Sequence, residues 1–147
     1  MIADYADGQP ATDDATDAST DLVMDGIPAE AWRLTPIRTA VLSWLRDHGM
    51  NEDTSQDITL ATYEALANGV EHAYGTSSAG GDKVVGLVVH TPGDGSVTVR
   101  VTDRGRWVDG IDDPRRGRGL PLIHALADEA SIESTNTGTV VTMQWRR

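Results

Sequence analysis

Valine-rich segments separated by glycine-containing turns occur twice in the sequence and predict two β-hairpins. Residues 83–90 (KVVGLVVH) and 96–102 (SVTVRVT) flank a TPGDG turn at 91–95, which is typical of an antiparallel pair. In the second strand valine alternates with polar residues, so one face of that strand is predicted to be buried. Residues 131–135 and 139–145 predict a second hairpin around the turn at 136–138. This pattern favours an antiparallel sheet with one covered face.

Three predicted helices supply elements that can cover such a sheet. The first begins at Thr35-Pro36, because threonine can cap a helix and proline suits its first position, and it stops at Gly49. The second runs from about Gln56 to Tyr74, and a short third helix spans residues 120–130. Helices and about four strands, mostly antiparallel in a mixed sheet, predict an α+β fold: a two-layer α/β sandwich with the helices on one face.

The net charge of -11 is concentrated at the start of the chain. The first 32 residues hold seven Asp and one Glu with no Lys or Arg, while the remainder carries only -3. Residues 1–21 are also poor in large apolar side chains, so they cannot bury enough surface to offset their ordering entropy. We therefore expect a disordered acidic tail at 1–21 and one folded domain at 22–147. In that domain, 22–24 is a candidate edge strand, followed by a loop through Gly26 and Pro28.

Charge and composition exclude several functional classes. The acidic balance opposes binding to nucleic-acid phosphates. The chain has no cysteine, which excludes a disulfide framework, a thiol nucleophile and a sulfur-based zinc site. The start of the chain lacks the charge and apolar run of a signal peptide, and no stretch of 18 apolar residues occurs, so a cytoplasmic location without membrane contact is expected.

The second predicted helix carries a polar stripe that the fold alone does not require. Glu64, Asn68 and His72 recur every four residues and therefore project from one side of the helix. A solvated polar face is the plain alternative. Gly69 lies within the same helix, where glycine costs about 1 kcal/mol relative to alanine. A close approach by another backbone or by a ligand would explain that glycine.

Two further segments have the chemistry of a ligand site. Asp103 follows the valine-alternating strand and precedes Gly105, so a carboxylate stands at a strand end beside a tight turn. The segment 117–120 (GRGL) leads into the third helix, where free backbone N–H groups and the helix dipole favour phosphate. Taken singly, each segment is more often an ordinary turn or a helix-start loop.

In combination and in this order, these segments resemble the GHKL ATPase superfamily. The matching motifs are EALANGVEHAYG (64–75), VTDRGRW (101–107), GRGLPLI (117–123) and GTVVTM (138–143), and within the superfamily they are similar to the anti-sigma-factor serine/threonine kinases. The resemblance covers about residues 22–147. It implies the Bergerat ATP-binding fold, with ATP and Mg²⁺ as cofactors.

The resemblance also implies a role for each residue of the polar stripe. Asn68 corresponds to the asparagine that binds the magnesium ion bridging the nucleotide phosphates, and its amide oxygen suits a hard cation. Glu64 corresponds to the general base that acts on the attacking hydroxyl. His72 is a candidate contact for the phosphates or for a lid residue, and it can equally be a helix histidine with ordinary partners.

The remaining motifs are implied to bind the nucleotide itself. Asp103 corresponds to the acceptor of the adenine amino group, Gly105 lets the base approach, and Thr139 lines the adenine pocket. The phosphate-binding segment comprises Gly117, Arg118, Gly119 and Leu120.

The family resemblance implies a kinase that phosphorylates a STAS-type anti-anti-sigma partner and that can also sequester a sigma factor by direct contact. Homodimers are usual in that family, and no surface evident in the sequence decides the point. Two departures favour an alternative: Trp107 replaces the second glycine of the D-x-G-x-G motif, and the loop from Asp103 to Gly117 is short. Arg115, Arg116 and Arg118 could compensate by reaching the phosphates. The alternative is a nucleotide-binding regulatory module without phosphotransfer activity.

Overall fold

A computed structural model of the chain describes residues 21–75, 83–104, 121–135 and 138–146. The elements in chain order are β1 (Leu22–Pro28), a 3₁₀ turn (Ala31–Arg33), α1 (Leu34–Asp47), α2 (Glu52–Gly75), β2 (Val84–His90), β3 (Val97–Asp103), a helical segment at 121–126, β4 (Glu129–Thr135) and β5 (Gly138–Trp145). Of the predicted tail at 1–21, all but Asp21 lies outside the described residues, so the division into tail and domain stays a prediction.

The five strands form one sheet in the order β1-β2-β3-β5-β4, and every neighbouring pair is antiparallel. The candidate edge strand at 22–24 is confirmed as part of β1, which lies at the sheet edge, but β1 continues through the segment predicted as a loop. The register of β1 against β2 shifts between Met24 and Ile27. Gly26 lies in this irregularity with φ +63°, a backbone conformation that glycine adopts without strain.

Both helices pack on one face of the sheet, as the predicted sandwich requires. Alternate residues of β2, β3 and β5 are buried beneath α2, and α1 packs beside α2 with its own buried stripe in the same core. Arg100 on the opposite face of β3 is exposed. The face under the helices is called the covered face below, and the other the open face. The predicted α+β class is confirmed.

Two predicted helix starts differ from the structure. Helix α1 begins at Leu34 after the 3₁₀ turn and has no side-chain cap, so the cap expected at Thr35 is wrong and that residue lies inside the first turn. Helix α2 begins four residues before the predicted Gln56. The backbone N–H of Thr54 donates to Asn51 Oδ1 at 2.8 Å, which identifies Asn51 as the N-cap.

The third helix is shorter than predicted. Residues 121–126 are helical, but Glu129 and Ala130 belong to β4, where they pair with Gln144 and Met143. Local helical periodicity gives way here to the hydrogen bonds of a sheet edge. Within the described part of the chain, neither this segment nor the longer helices combine the length and apolar character needed to cross a membrane.

Candidate nucleotide-binding site

The otherwise apolar covered face ends in two buried polar residues on neighbouring strands, Asp103 and Thr139, which we call the polar row. In β3 the buried positions are three alternate valines followed by Asp103, which pairs with Val85 on one side and with Thr139 on the other. Thr139 in turn pairs with Ser134, and their hydroxyl oxygens lie 3.3 Å apart. Asp103 is 7% exposed and Thr139 is 1% exposed. A carboxylate and a hydroxyl are thus held side by side, largely out of water.

Helix α2 passes close over this row because residue 69 has no side chain. A Cβ atom on Gly69 would lie 3.1 Å from Val85 Cγ1 and 3.3 Å from Asp103 Oδ2. The close approach expected at Gly69 is therefore present, and it is made by side chains of the sheet. The helix backbone covers one side of the Asp103 carboxylate.

A second glycine fixes the backbone on the opposite side of Asp103. Gly138 begins β5 with φ +148°, and a Cβ atom there would lie 2.1 Å from the carbonyl oxygen of Asp103. No side chain can occupy that space without moving the backbone. The Gly-Thr pair at 138–139 thus brings Thr139 into register beside Asp103.

The α2 stripe reaches the site through Asn68, which precedes Gly69. Asn68 is 5% exposed, and among the described residues its Nδ2 atom has no hydrogen-bond partner. Glu64, one turn earlier, is half-buried. Because amide oxygen and nitrogen can be exchanged by a flip, the orphaned end of Asn68 can either donate to a phosphate oxygen or ligate a hard cation.

This donor set fits magnesium held mainly by a nucleotide. Within the described ranges, no group of three or more His, Cys, Asp or Glu side chains is arranged to hold a metal ion. Mg²⁺ in phosphate sites commonly takes only one or two protein ligands, together with phosphate oxygens and water. Asn68 is the residue that would hold such an ion.

Several predicted site residues lie outside the described part of the chain. The structure brings together Asp103, Thr139 and the α2 segment that carries Asn68, and it places Glu64 one turn away. His72 belongs to α2, but its side chain is outside the described residues. Other predicted site residues lie wholly outside the described residues: Gly105, Trp107, Arg115, Arg116, Gly117, Arg118, Gly119 and Leu120. The ligand roles of His72 and of these loop residues stay predictions.

A cavity of about 260 Å³ opens at this end of the sheet. Its described lining includes Asp103 and Thr139 together with Gly86, Thr102 and Glu133 from the open face. No described residue of α2 is part of this lining, so the cavity lies mainly on the open face and not beneath α2.

Sequence reasoning missed one polar residue of α2. Glu71 is half-buried and lies one turn after Asn68 and two turns after Glu64. The seven-residue spacing between the two glutamates was available in the sequence, but a stripe defined at intervals of four residues passes over it.

These features define a class: an α+β sandwich whose covered face ends in a buried polar row beneath a helix. The chain belongs to the histidine kinase-like ATPase domain family, whose model matches residues 27–145. The resemblance to the GHKL anti-sigma-factor kinases is confirmed. A similar sequence is the Anti-sigma F factor of Priestia megaterium, 27% identical over 110 residues, which cover 67% of this chain and 73% of that protein.

Solved structures agree with this family. The RsbU and RsbW domains of Rv1364c from Mycobacterium tuberculosis match with a TM-score of 0.69 and 27% identity over 86% of this chain. The chain spans only about a third of that structure's length, since it covers 32% of it. SiaB in the SiaB–SiaC complex from Pseudomonas aeruginosa gives a TM-score of 0.64 at 13% identity, over 95% of this chain and 98% of that one. The last likeness shows the fold alone.

Proposed function

We propose that this protein is an ATP-dependent serine/threonine kinase of the anti-sigma type, which phosphorylates a STAS-type anti-anti-sigma partner and also holds a sigma factor. The observation that carries the proposal is the buried Asp103 carboxylate between Gly69, Thr139 and Gly138. A carboxylate kept out of water and beside a hydroxyl suits recognition of an exocyclic amino group such as that of adenine. The similarity to the Anti-sigma F factor supports the choice of partners.

Adenine recognition at Asp103 orients the rest of the nucleotide toward α2. Asp103 accepts a hydrogen bond from the adenine amino group, and Thr139 contributes a hydroxyl, directly or through water, on the same row. The phosphates then lie toward Asn68, whose Nδ2 atom has no partner among the described residues. Bound Mg²⁺ would neutralise charge on the phosphate oxygens during transfer.

Glu64 is the group that acts on the partner's hydroxyl. Its carboxylate lies one turn from Asn68 and is half-buried, so it is accessible to a docking protein yet close to the phosphate end of the site. It accepts the proton from the attacking Ser or Thr oxygen as the bond to the γ-phosphorus forms and the bond from that phosphorus to the ADP oxygen breaks. Positioning and charge neutralisation carry most of the catalysis in phosphoryl transfer, so a single carboxylate suffices.

The nucleotide site is tested by calorimetric titration of the wild-type protein and of Asp103→Asn with ATP and Mg²⁺. A hydrogen bond to a charged group contributes about 1.5–3 kcal/mol, so we expect affinity to fall about 10- to 100-fold in the variant. Asp94→Asn is the matched control, because Asp94 bonds to Ser96 in an exposed turn. Equal affinities of wild type and Asp103→Asn would remove the proposed adenine site.

The kinase step is tested by following transfer of labelled phosphate from ATP to a purified STAS-type protein. We expect transfer by the wild type and a loss of at least about 100-fold in Glu64→Gln, in line with removal of a general base. Nucleotide binding should be retained in that variant. ATP binding and partner association without any transfer would instead support the regulatory module that Trp107 and the short loop favour.

A further inference from the structure

Glu71 is a half-buried carboxylate of α2 to which the proposed reaction assigns no part. Seven residues correspond to about two turns at 3.6 residues per turn, so Glu71 projects from nearly the same side of α2 as Glu64. Asn68 lies between the two along the helix axis. We call Glu64, Asn68 and Glu71 the α2 strip.

An independent observation indicates that a ligand belongs beside this strip. Asn68 is buried, and its Nδ2 atom has no partner among the residues that the structure describes. A buried amide group left unpaired costs about 1–3 kcal/mol, so such groups generally have a partner in the functional state. The strip thus combines two carboxylates with one buried amide end that has no partner among the described residues.

The charge of the strip limits what that ligand can be. A nucleotide triphosphate and a carboxylate repel each other, because like charges at short distance disfavour one another even at moderate dielectric. A divalent cation between them reverses the sign of the interaction. Mg²⁺ prefers oxygen ligands and keeps several water molecules in its shell, which carboxylates beyond direct contact can then orient.

Resting on the function proposed above, we propose that Glu71 is a positioning residue for the magnesium ion of the ATP complex. Its carboxylate accepts a hydrogen bond from a water molecule bound to the ion, while Asn68 supplies the direct protein ligand. The two glutamates therefore act on different groups: Glu64 acts on the attacking hydroxyl, and Glu71 acts on the water bound to the metal. Outer-shell partners of this kind typically account for 10- to 100-fold in metal affinity.

The test separates metal affinity from nucleotide affinity. ATP binding is measured by calorimetry for wild type, Glu71→Gln and Glu71→Asp, in EDTA and across a Mg²⁺ titration. In Glu71→Gln, the Mg²⁺ concentration that gives half of the maximal effect on ATP binding should rise about 10-fold. The ATP affinity in EDTA should stay equal or increase, since a negative charge is removed. Glu71→Asp keeps the carboxylate and should lose less. Asp57→Asn, an exposed change seven residues before Glu64, should match the wild type in both conditions.

Each alternative result has a distinct meaning. An unchanged Mg²⁺ requirement in Glu71→Gln overturns the inference and leaves the nucleotide site intact. An equal loss of affinity with and without Mg²⁺ indicates a purely structural role and also overturns it. If the wild type binds no ATP in either condition, the proposed function fails, and this inference fails with it.

Discussion

Gly69 is the residue where helix stability and ligand binding are expected to conflict most directly. Replacing a mid-helix glycine with alanine normally stabilises a helix by about 1 kcal/mol. Here the new methyl group would lie 3.1 Å from Val85 Cγ1 and 3.3 Å from Asp103 Oδ2, both of which must move by a few tenths of an ångström. Overpacking of this kind costs about 1–3 kcal/mol. We expect Gly69→Ala to lower the free energy of unfolding by about 1 kcal/mol rather than raise it.

The same displacement should weaken ATP binding. Asp103 Oδ2 is among the atoms pushed away, and loss of about half of a charge-assisted hydrogen bond corresponds to about 1 kcal/mol, or roughly fivefold in affinity. Urea unfolding and calorimetry measure the two effects on one preparation. Asp57→Ala, an exposed change in α2, reports the gain in helix propensity without the contact. A Gly69→Ala protein stabilised by about 1 kcal/mol with unchanged ATP affinity would refute the reasoning.

Three other expected outcomes follow from the described contacts. Gly138→Ala places a Cβ atom 2.1 Å from the Asp103 carbonyl oxygen, so it should cost about 3 kcal/mol or more in urea unfolding and abolish ATP binding. Asn51→Ala removes the cap of α2 and should cost about 1 kcal/mol, with ATP affinity unchanged by calorimetry. The hydrogen bond from Arg46 lowers the pKa of Glu52 to about 2 from 4.5, so its stabilising effect is present above pH 4.5 and is lost as the pH falls toward 2. Thermal unfolding of Glu52→Gln should therefore depend less steeply on pH in that window than the wild type, and identical slopes would contradict the assignment.

Local patterns were sufficient to predict the covered face of the central strands. The valines of β3 alternate toward the helices, and one further step of the same period places Asp103 on that face. The pairing of Asp103 with Thr139 was not predictable in this way. It depends on β5 lying between β3 and β4, an order that arises from long-range packing.

The errors at element ends have a common physical cause. Gly26 and Pro28 are turn-forming residues by composition, but hydrogen bonding to β2 extends β1 through both. At the start of α2, the apolar periodicity begins only at Ile58, whereas the helix is already fixed by the cap at Asn51. For Asn68, periodicity identified the stripe but could not show that the sheet and helix together bury it. At both element ends a tertiary contact, or one side-chain hydrogen bond, outweighs the local preference.

Burial of Asp103 links the stability of this domain to its readiness for a ligand. The carboxylate is almost fully withdrawn from water in the described fold, between Gly69 and Gly138. Much of its desolvation therefore occurs during folding rather than during association, so ligand capture requires little rearrangement at this point. The cost falls on folding, because burial takes the carboxylate out of water before any ligand arrives. We therefore expect the acid at this position to serve ligand recognition rather than the stability of the fold.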